Sequence, residues 1–181
     1  MADDGTSGFE LWESDGTASG TQLVKDIQSG SFGSFPQNFA VLNTNVLLFR
    51  ADDGSTGPEL WKTDGTDSGT VLVKDIKSGG QGSYPDYLFE FNGKVYFKAD
   101  DGTNGYELWQ TDGTESNTLM LKDILPGTNG GAESSAPHYF FSINSELFFF
   151  IITSTDYELW TTDGTEGGTT KVIDVLHKTR Y

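Results

Sequence analysis

The sequence predicts an all-β chain, a β-propeller-type array of four-stranded antiparallel blades, and three observations carry that prediction. The first is a repeat: the phrase Glu-Leu-Trp occurs four times, with its tryptophan at Trp12, Trp61, Trp109 and Trp160, spaced 49, 48 and 51 residues apart. The second is composition. The 181 residues include 13 Phe, 7 Tyr and 4 Trp together with 23 Gly, a mixture that suits short strands joined by tight turns rather than helices. The third is the period itself, which is what four short antiparallel strands need and lies close to the ~50-residue spacing of kelch-like blades.

The motif around each tryptophan continues in a fixed order. Ser or Thr comes two positions after it, then Asp-Gly-Thr at Asp15-Gly16-Thr17, Asp64-Gly65-Thr66, Asp112-Gly113-Thr114 and Asp163-Gly164-Thr165. Gly20-Thr21, Gly69-Thr70, Asn117-Thr118 and Gly168-Thr169 follow, and an apolar stretch then ends at Asp26-Ile27, Asp75-Ile76, Asp123-Ile124 and Asp174-Val175. The clearest unit divides into strands at Tyr87 to Phe91, Lys94 to Ala99, Tyr106 to Thr111 and Thr118 to Ile124. Asn92-Gly93 between the first two is a strong signal for a two-residue hairpin, because both turn positions need positive φ. Apolar residues fall on both parities, as in Leu119-Met120-Leu121 and Phe148-Phe149-Phe150. A sheet with one wet face would alternate, whereas a blade covered on both faces need not. A strand-rich solenoid is the alternative architecture.

Counted this way, residues 2–28 supply half a blade, residues 36–76, 85–124 and 137–175 supply three whole ones, and residues 176–181 form a tail. Closed rings have roughly 4–8 blades, so about three and a half should not close as one chain. Either the array is part of a longer one or two copies join into a ring of about seven. The partners expected are therefore other blades of the same or a second chain.

The motif resembles the ELWxxDGT repeat of tandem arrays in bacterial, often marine, exported proteins. The residues that carry the resemblance are Glu10 to Thr17, Glu59 to Thr66, Glu107 to Thr114 and Glu158 to Thr165. It implies a propeller-like module, secreted or at the cell surface, and no activity comes with it; glycans or cell-surface proteins are the ligands expected of a binding module, apart from the resemblance. The last copy departs most from the pattern, with Thr153-Ser154-Thr155 in place of an Asp-Asp-Gly turn and Ile173 in place of Lys25, Lys74 and Lys122.

Net charge is −16 and the pI about 4.2, which opposes binding to nucleic-acid phosphates or to anionic membranes. There is no cysteine, so disulfides and thiolate metal sites are out of reach. The longest apolar run, Leu147 to Ile152, is far short of the ~20 residues of a membrane helix. Met1-Ala2-Asp3-Asp4-Gly5 has neither the basic start nor the apolar core of a signal peptide, so export would need a signal outside this chain.

Several residue sets invite a chemical reading. The Asp-Asp-Gly turns are the metal candidates, with Asp52, Asp53, Asp100 and Asp101 as ligands for Ca²⁺ through oxygen; adjacent carboxylates differ from the alternate spacing of calcium loops, and the competing reading is a turn. The Asp-Gly-Thr loops read as structure, the Asp capping backbone N–H groups and the Gly supplying positive φ. The exchange of Gly20, Gly69 and Gly168 for Asn117 reads as a left-handed position. Glu59 and Lys74 read as a cross-strand ion pair that fixes register. The tryptophans read as spacers buried between blades, while Phe32, Phe35 and Tyr84 are left among glycines as sugar-stacking candidates. His138, read as a rim residue, and His177 are the only histidines, and no nucleophile elbow, phosphate loop or metal-binding His pair is present. No catalytic residue is assigned, no cofactor is expected beyond calcium, and the expectation is a non-catalytic scaffold or adhesion module. The alternatives are a segment of a larger carbohydrate-active propeller enzyme, for which residues 128–135 are the repeat-breaking candidate, and a calcium-stabilised lectin-like module.

Overall fold

The computed structural model describes residues 1–126, 134–153 and 156–177, with side chains as far as Val175. The described residues contain strands and turns and no helix. Four antiparallel sheets follow one another along the chain. The first holds β1 (Ala2–Asp3), β2 (Phe9–Ser14) and β3 (Thr21–Lys25); the second, β4 (Gln37–Asn43), β5 (Val46–Asp52), β6 (Pro58–Thr63) and β7 (Val71–Lys74). The third holds β8 (Asp86–Phe91), β9 (Lys94–Asp100), β10 (Tyr106–Thr111) and β11 (Leu119–Lys122); the fourth, β12 (His138–Ile143), β13 (Glu146–Ile152), β14 (Asp156–Thr162) and β15 (Thr170–His177). Strands within each sheet pair in sequence order, so no sheet joins the two ends of the chain and the array is not closed. The first strands β4, β8 and β12 lie against one another, which places the convergence of the blades there.

Local sequence explains the hairpins. Asn92 and Gly93 adopt φ of 52° and 75°, and Asn144 and Ser145 adopt 51° and 63°, as a two-residue turn joining right-twisted strands requires. Three apolar clusters then lie between successive sheets, as the mixed parity predicts. Leu11, Val24 and Ile27 of the first sheet meet Phe49, Ala51 and Trp61 of the second. Leu48, Leu60 and Val73 of the second meet Val95, Phe97 and Trp109 of the third. Tyr96, Leu108 and Leu121 of the third meet Leu147, Phe149 and Ile151 of the fourth. Phe49, Phe97 and Phe149 are each 0% exposed, and burial of such a side chain is worth about 1.5–3 kcal/mol. Trp61 and Trp109 are buried in the same layers, and Trp12 and Trp160 half-buried.

The Glu-Leu-Trp glutamate is not the register-fixing ion pair the sequence suggests. Glu10, Glu59 and Glu107 are 0% exposed and face the segment that leads into the next blade. The Glu59 carboxylate accepts from the N–H groups of Ile76, Lys77 and Ser83 and from the Ser83 hydroxyl. Glu10 accepts from Ile27, Gln28 and Ser34, and Glu107 from Ile124 and Ser135. A buried loop must satisfy its N–H groups somewhere, and here one side chain serves several of them. This also explains why β11 stops at Lys122, short of the expected Ile124: the Ile124 N–H has left the ladder for Glu107. The lysines reach forward instead. Lys25 donates to Asp67 O, Lys74 to Thr118 O and Lys122 to Thr169 O, each in the following sheet. Removing the partner of a cross-blade bond, not of a cross-strand pair, is therefore what a lysine substitution would do.

Candidate functional site at the inner end of the blades

The Asp-Gly-Thr loops and the Asp-Asp-Gly turns are occupied by their own backbone. Each loop aspartate accepts, on one oxygen, the N–H and hydroxyl of the threonine two residues on, as Asp64 does from Thr66; these bonds hold Asp15, Asp64, Asp112 and Asp163 below the usual carboxylate range. Gly65 carries the positive φ, 91°. Gly69 does not, and here the expected left-handed role is corrected: a Cβ on Gly69 would run into the Asp64 carboxylate. The third copy accommodates Asn117 because its side-chain amide donates to Asp112 Oδ2 at 2.7 Å.

Among the four metal candidates, Asp52 accepts from Gly54 N–H, and Asp53 from the N–H and hydroxyl groups of Ser55 and Thr56. Asp100 accepts from Gly102 N–H and pairs with Lys77 at 2.8 Å, while Asp101 accepts from Thr103 N–H and from both amides of Asn104. Burial works against ionisation of Asp53 and Asp101, yet these donors hold both below the ordinary value. Among the described residues no three His, Asp or Glu side chains converge as a metal cluster. Residues 128–133, 154, 155 and 178–181, and the side chain of His177, lie outside the described residues.

A different set of residues gathers where the first strands begin. Each linker ends in a residue of positive φ, Phe35, Tyr84 or Ala136 (48°, 50°, 40°), and each first strand opens with another, Asn38, Tyr87 or Tyr139 (56°, 57°, 53°). Non-glycine residues rarely hold this conformation. Here it is fixed by bonds to the preceding blade: the N–H groups of Phe35, Tyr84 and Ala136 donate to Phe9 O, Pro58 O and Tyr106 O. The second kink coincides with a break in register between the first and second strands, and at Asn38 and Tyr87 it aims the side chain toward the next blade. Asn38 donates to Pro85 O, Tyr87 lies tilted against His138 and edge-on to Tyr139, each at 5.9 Å between ring centroids, and Tyr139 is 64% exposed.

The chemistry at this end changes from blade to blade, whereas the Glu-Leu-Trp and Asp-Gly-Thr phrases are the same in every copy. In the second sheet Arg50 donates to Gln37 at 2.7 Å and lies over Tyr84. In the third, Lys98 pairs with Asp86 at 3.4 Å and sits 5.2 and 4.8 Å from the Tyr87 and Tyr106 ring centroids. In the fourth the same positions are His138 and Phe150, with ring centroids 6.4 Å apart. His138 is a corrected reading, since it is 4% exposed rather than on the rim surface. Burial, assisted by Lys98, pushes it below the ordinary histidine value, while the Ala136 carbonyl pulls the other way. Its Nδ1 donates to that carbonyl, so Nε2 is the free lone pair, buried without a hydrogen-bond partner. Burial pushes the Tyr87 and Tyr106 hydroxyls up, so both are neutral donors.

This end of the array can stack on flat apolar or sugar surfaces and can hold an anion against Arg50 or Lys98. Of the sugar-stacking candidates in the sequence, Phe35 and Tyr84 do stand here, 46% and 45% exposed, and Phe32 lies in the linker, 78% exposed. Tyr87, Tyr139, Arg50 and Lys98 were not singled out by the sequence. The signal for them was present as variation: they occupy aligned positions where the copies disagree.

No protein-family model matches the chain, and no curated protein matches it. Among solved structures the chain is similar to the crystal structure of a puromycin hydrolase S511A mutant complexed with PGG, at a TM-score of 0.60 and 14% identity. The likeness covers 95% of this chain and 25% of that one, so the chain spans about a quarter of the length of the structure it matches. At this identity the likeness is one of fold, and it agrees with the propeller-like succession of sheets.

Proposed function

We propose that the chain is a non-catalytic binding scaffold of the ELWxxDGT-repeat type, secreted or cell-surface, whose ligand-facing part is the inner end of its blades. One observation carries the reading: the exposed aromatic residues Phe35, Tyr84, Tyr87 and Tyr139 share one end with Arg50 and Lys98. Aromatic faces flanked by cations suit a glycan or an acidic cell-surface protein. A glycan array with the wild type and with Tyr84→Ala and Tyr139→Ala tests it. Binding that is lost in the variants at unchanged thermal midpoint supports the reading, and binding that is absent or indifferent to both substitutions ends it. Calcium is kept as a stabilising ion at the Asp-Asp-Gly turns; a rise of the thermal midpoint with calcium over chelator supports this, and no shift removes it.

The second reading, a propeller segment of a larger enzyme, is favoured by the likeness to the hydrolase. In it, His138 is the residue to watch. Hydrolysis of ester or amide probes that His138→Gln abolishes would replace the scaffold reading.

A further inference from the structure

We infer that the cavity around Arg50 is a subsite for a single sugar acid, a pyranose ring bearing a carboxylate. The inference rests on the reading of the inner end as a ligand surface, and it narrows that reading to one place and one chemistry.

The cavity, of about 200 Å³, lies on the second sheet between the linker that precedes it and the linker that follows. Its lining includes Gln37, Arg50, Asp52 and Pro58 of the sheet and Phe35 and Tyr84 of the linkers. Both linkers are tied to the sheet: Asp52 N–H donates to Ser34 O at 2.9 Å and Tyr84 N–H to Pro58 O at 3.0 Å. The walls therefore stand in place before a ligand arrives, which lowers the cost of binding. The volume is below the roughly 300 Å³ at which pockets for larger ligands begin, so it suits one ring rather than a chain.

An uncompensated charge sets this place apart from its counterpart in the third sheet. Arg50 stands in register with Gln37 as Lys98 does with Asp86. Lys98 is satisfied at home, with Asp86 at 3.4 Å and the Tyr106 ring centroid at 4.8 Å. In the second sheet neutral Gln37 takes the place of Asp86, and Pro58 the place of Tyr106. Arg50 makes one hydrogen bond, to Gln37 Oε1 at 2.7 Å, although a guanidinium has several N–H donors. Among the described residues it has no ion pair. A half-buried guanidinium with donors to spare matches a planar carboxylate in two parallel bonds.

The other walls select what carries that carboxylate. Asp52 commits one oxygen to the Gly54 N–H at 2.8 Å, and its other oxygen can accept from a hydroxyl. A phosphate, with up to about two negative charges, would be opposed by Asp52 more strongly than a carboxylate with one. The Tyr84 ring, 45% exposed and 6.0 Å from Arg50 Cζ, offers a face to the C–H surface of a sugar. One carboxylate, hydroxyl donors and a flat apolar face on a small ring describe a sugar acid. The net charge of −16 does not forbid it, because charges beyond the ~8 Å screening length of physiological salt weigh little against direct contact.

The test titrates the full chain with methyl glucuronide and with methyl glucoside, the same ring with and without the carboxylate. Binding is followed by amide NMR shifts in chelator, so that no metal bridges sugar and Asp52. The glucuronide should bind at least ~10-fold more tightly, the scale of a charge-assisted hydrogen bond, and should shift the amides of Arg50, Asp52 and Tyr84. Arg50→Gln should abolish the preference. Gln37→Asp should abolish it too, by giving Arg50 the counter-ion that Lys98 has, and at this exposed position the variant should fold as the wild type does. Equal binding of the two sugars overturns the inference; if Tyr84→Ala then weakens both alike, the aromatic ligand surface stands without an acid subsite. A preference that survives Gln37→Asp overturns it, as does acetate that binds as tightly as the glucuronide. So does the absence of glucuronide binding at roughly 10 mM, in which case the glycan array decides separately on the wider reading.

Discussion

The third and fourth sheets are built from the same repeat, and one side of them lives in different surroundings. Leu121 and Ile124 of the third are 6% and 9% exposed because the fourth sheet covers them, while the aligned Val172 and Val175 are 50% and 43% exposed. Lys122 reaches a carbonyl in the next sheet; Ile173, aligned with it and likewise opposite the Glu-Leu-Trp leucine, is 58% exposed. Glu107 holds the N–H groups of the outgoing segment, whereas Glu158 turns to the Trp160 indole N–H at 2.8 Å and to Lys171 at 3.2 Å. In the first three sheets the indole N–H has no partner. The difference teaches that the motif's glutamate and lysine belong to the joint between blades, not to the blade. Where no following blade is seated on the sheet, the same letters find local partners.

The largest expected effect sharpens that contrast directly. Glu107→Ala strands the Ile124 and Ser135 donors in the interior and should cost about 3–5 kcal/mol in urea unfolding, while Glu158→Ala, facing a half-exposed lysine, should cost no more than about 1 kcal/mol. Equal losses would return the glutamate to a role within the blade. Next comes the covered face. Leu121→Ala should cost about 2–4 kcal/mol by leaving a cavity, and Val172→Ala should stay within about 0.5 kcal/mol, both read from thermal or urea midpoints.

The pH dependence is smaller and has a definite sign. Burial pushes Glu59 up to about 7 from an ordinary 4.5, against the pull of its Ser83, Lys77 and Ile76 donors. The folded chain therefore binds this proton more tightly than the unfolded chain. The resulting stability is complete below about pH 4.5, is lost as pH rises to about 7 and changes no further above that. A fall on the order of 3 kcal/mol across that window should be missing from Glu59→Gln, measured as the difference between the two proteins' urea midpoints at successive pH values. The smallest effect concerns the lysines. Lys122→Met should lose about 1 kcal/mol with its cross-blade bond, and Ile173→Lys, with no following sheet among the described residues to offer it a carbonyl, should be neutral within about 0.5 kcal/mol.

The strands were legible because hairpin turns and apolar runs are local. Tyr106–Thr111 and the Asn92-Gly93 turn stand where residue type and spacing put them, and the aspartate of each Asp-Gly-Thr loop caps its own neighbours. The partners of Glu59 and Lys74 were not legible. Both sit opposite each other in one hairpin by sequence, but a register shift at Leu60–Trp61 and the approach of the next sheet redirect them. Gly69 misled for a related reason: what excludes a side chain there is the folded-back Asp64 carboxylate, not its own φ. The inner-end cluster was legible only in outline, since Tyr84 and Phe35 stood out among glycines while Lys98, Tyr87 and His138 sit inside ordinary strands.

The sequence by itself determined the repeat, its four strands and turns, and the burial of both faces of an inner blade, because each follows from bonding within about 50 residues and from where apolar side chains must go. Only the tertiary structure decided what the recurrent charged residues do and which aromatics share one end of the array. Those depend on how one sheet leans on the next, and a period along the chain carries the spacing of the copies but not the direction in which a side chain crosses the gap between them.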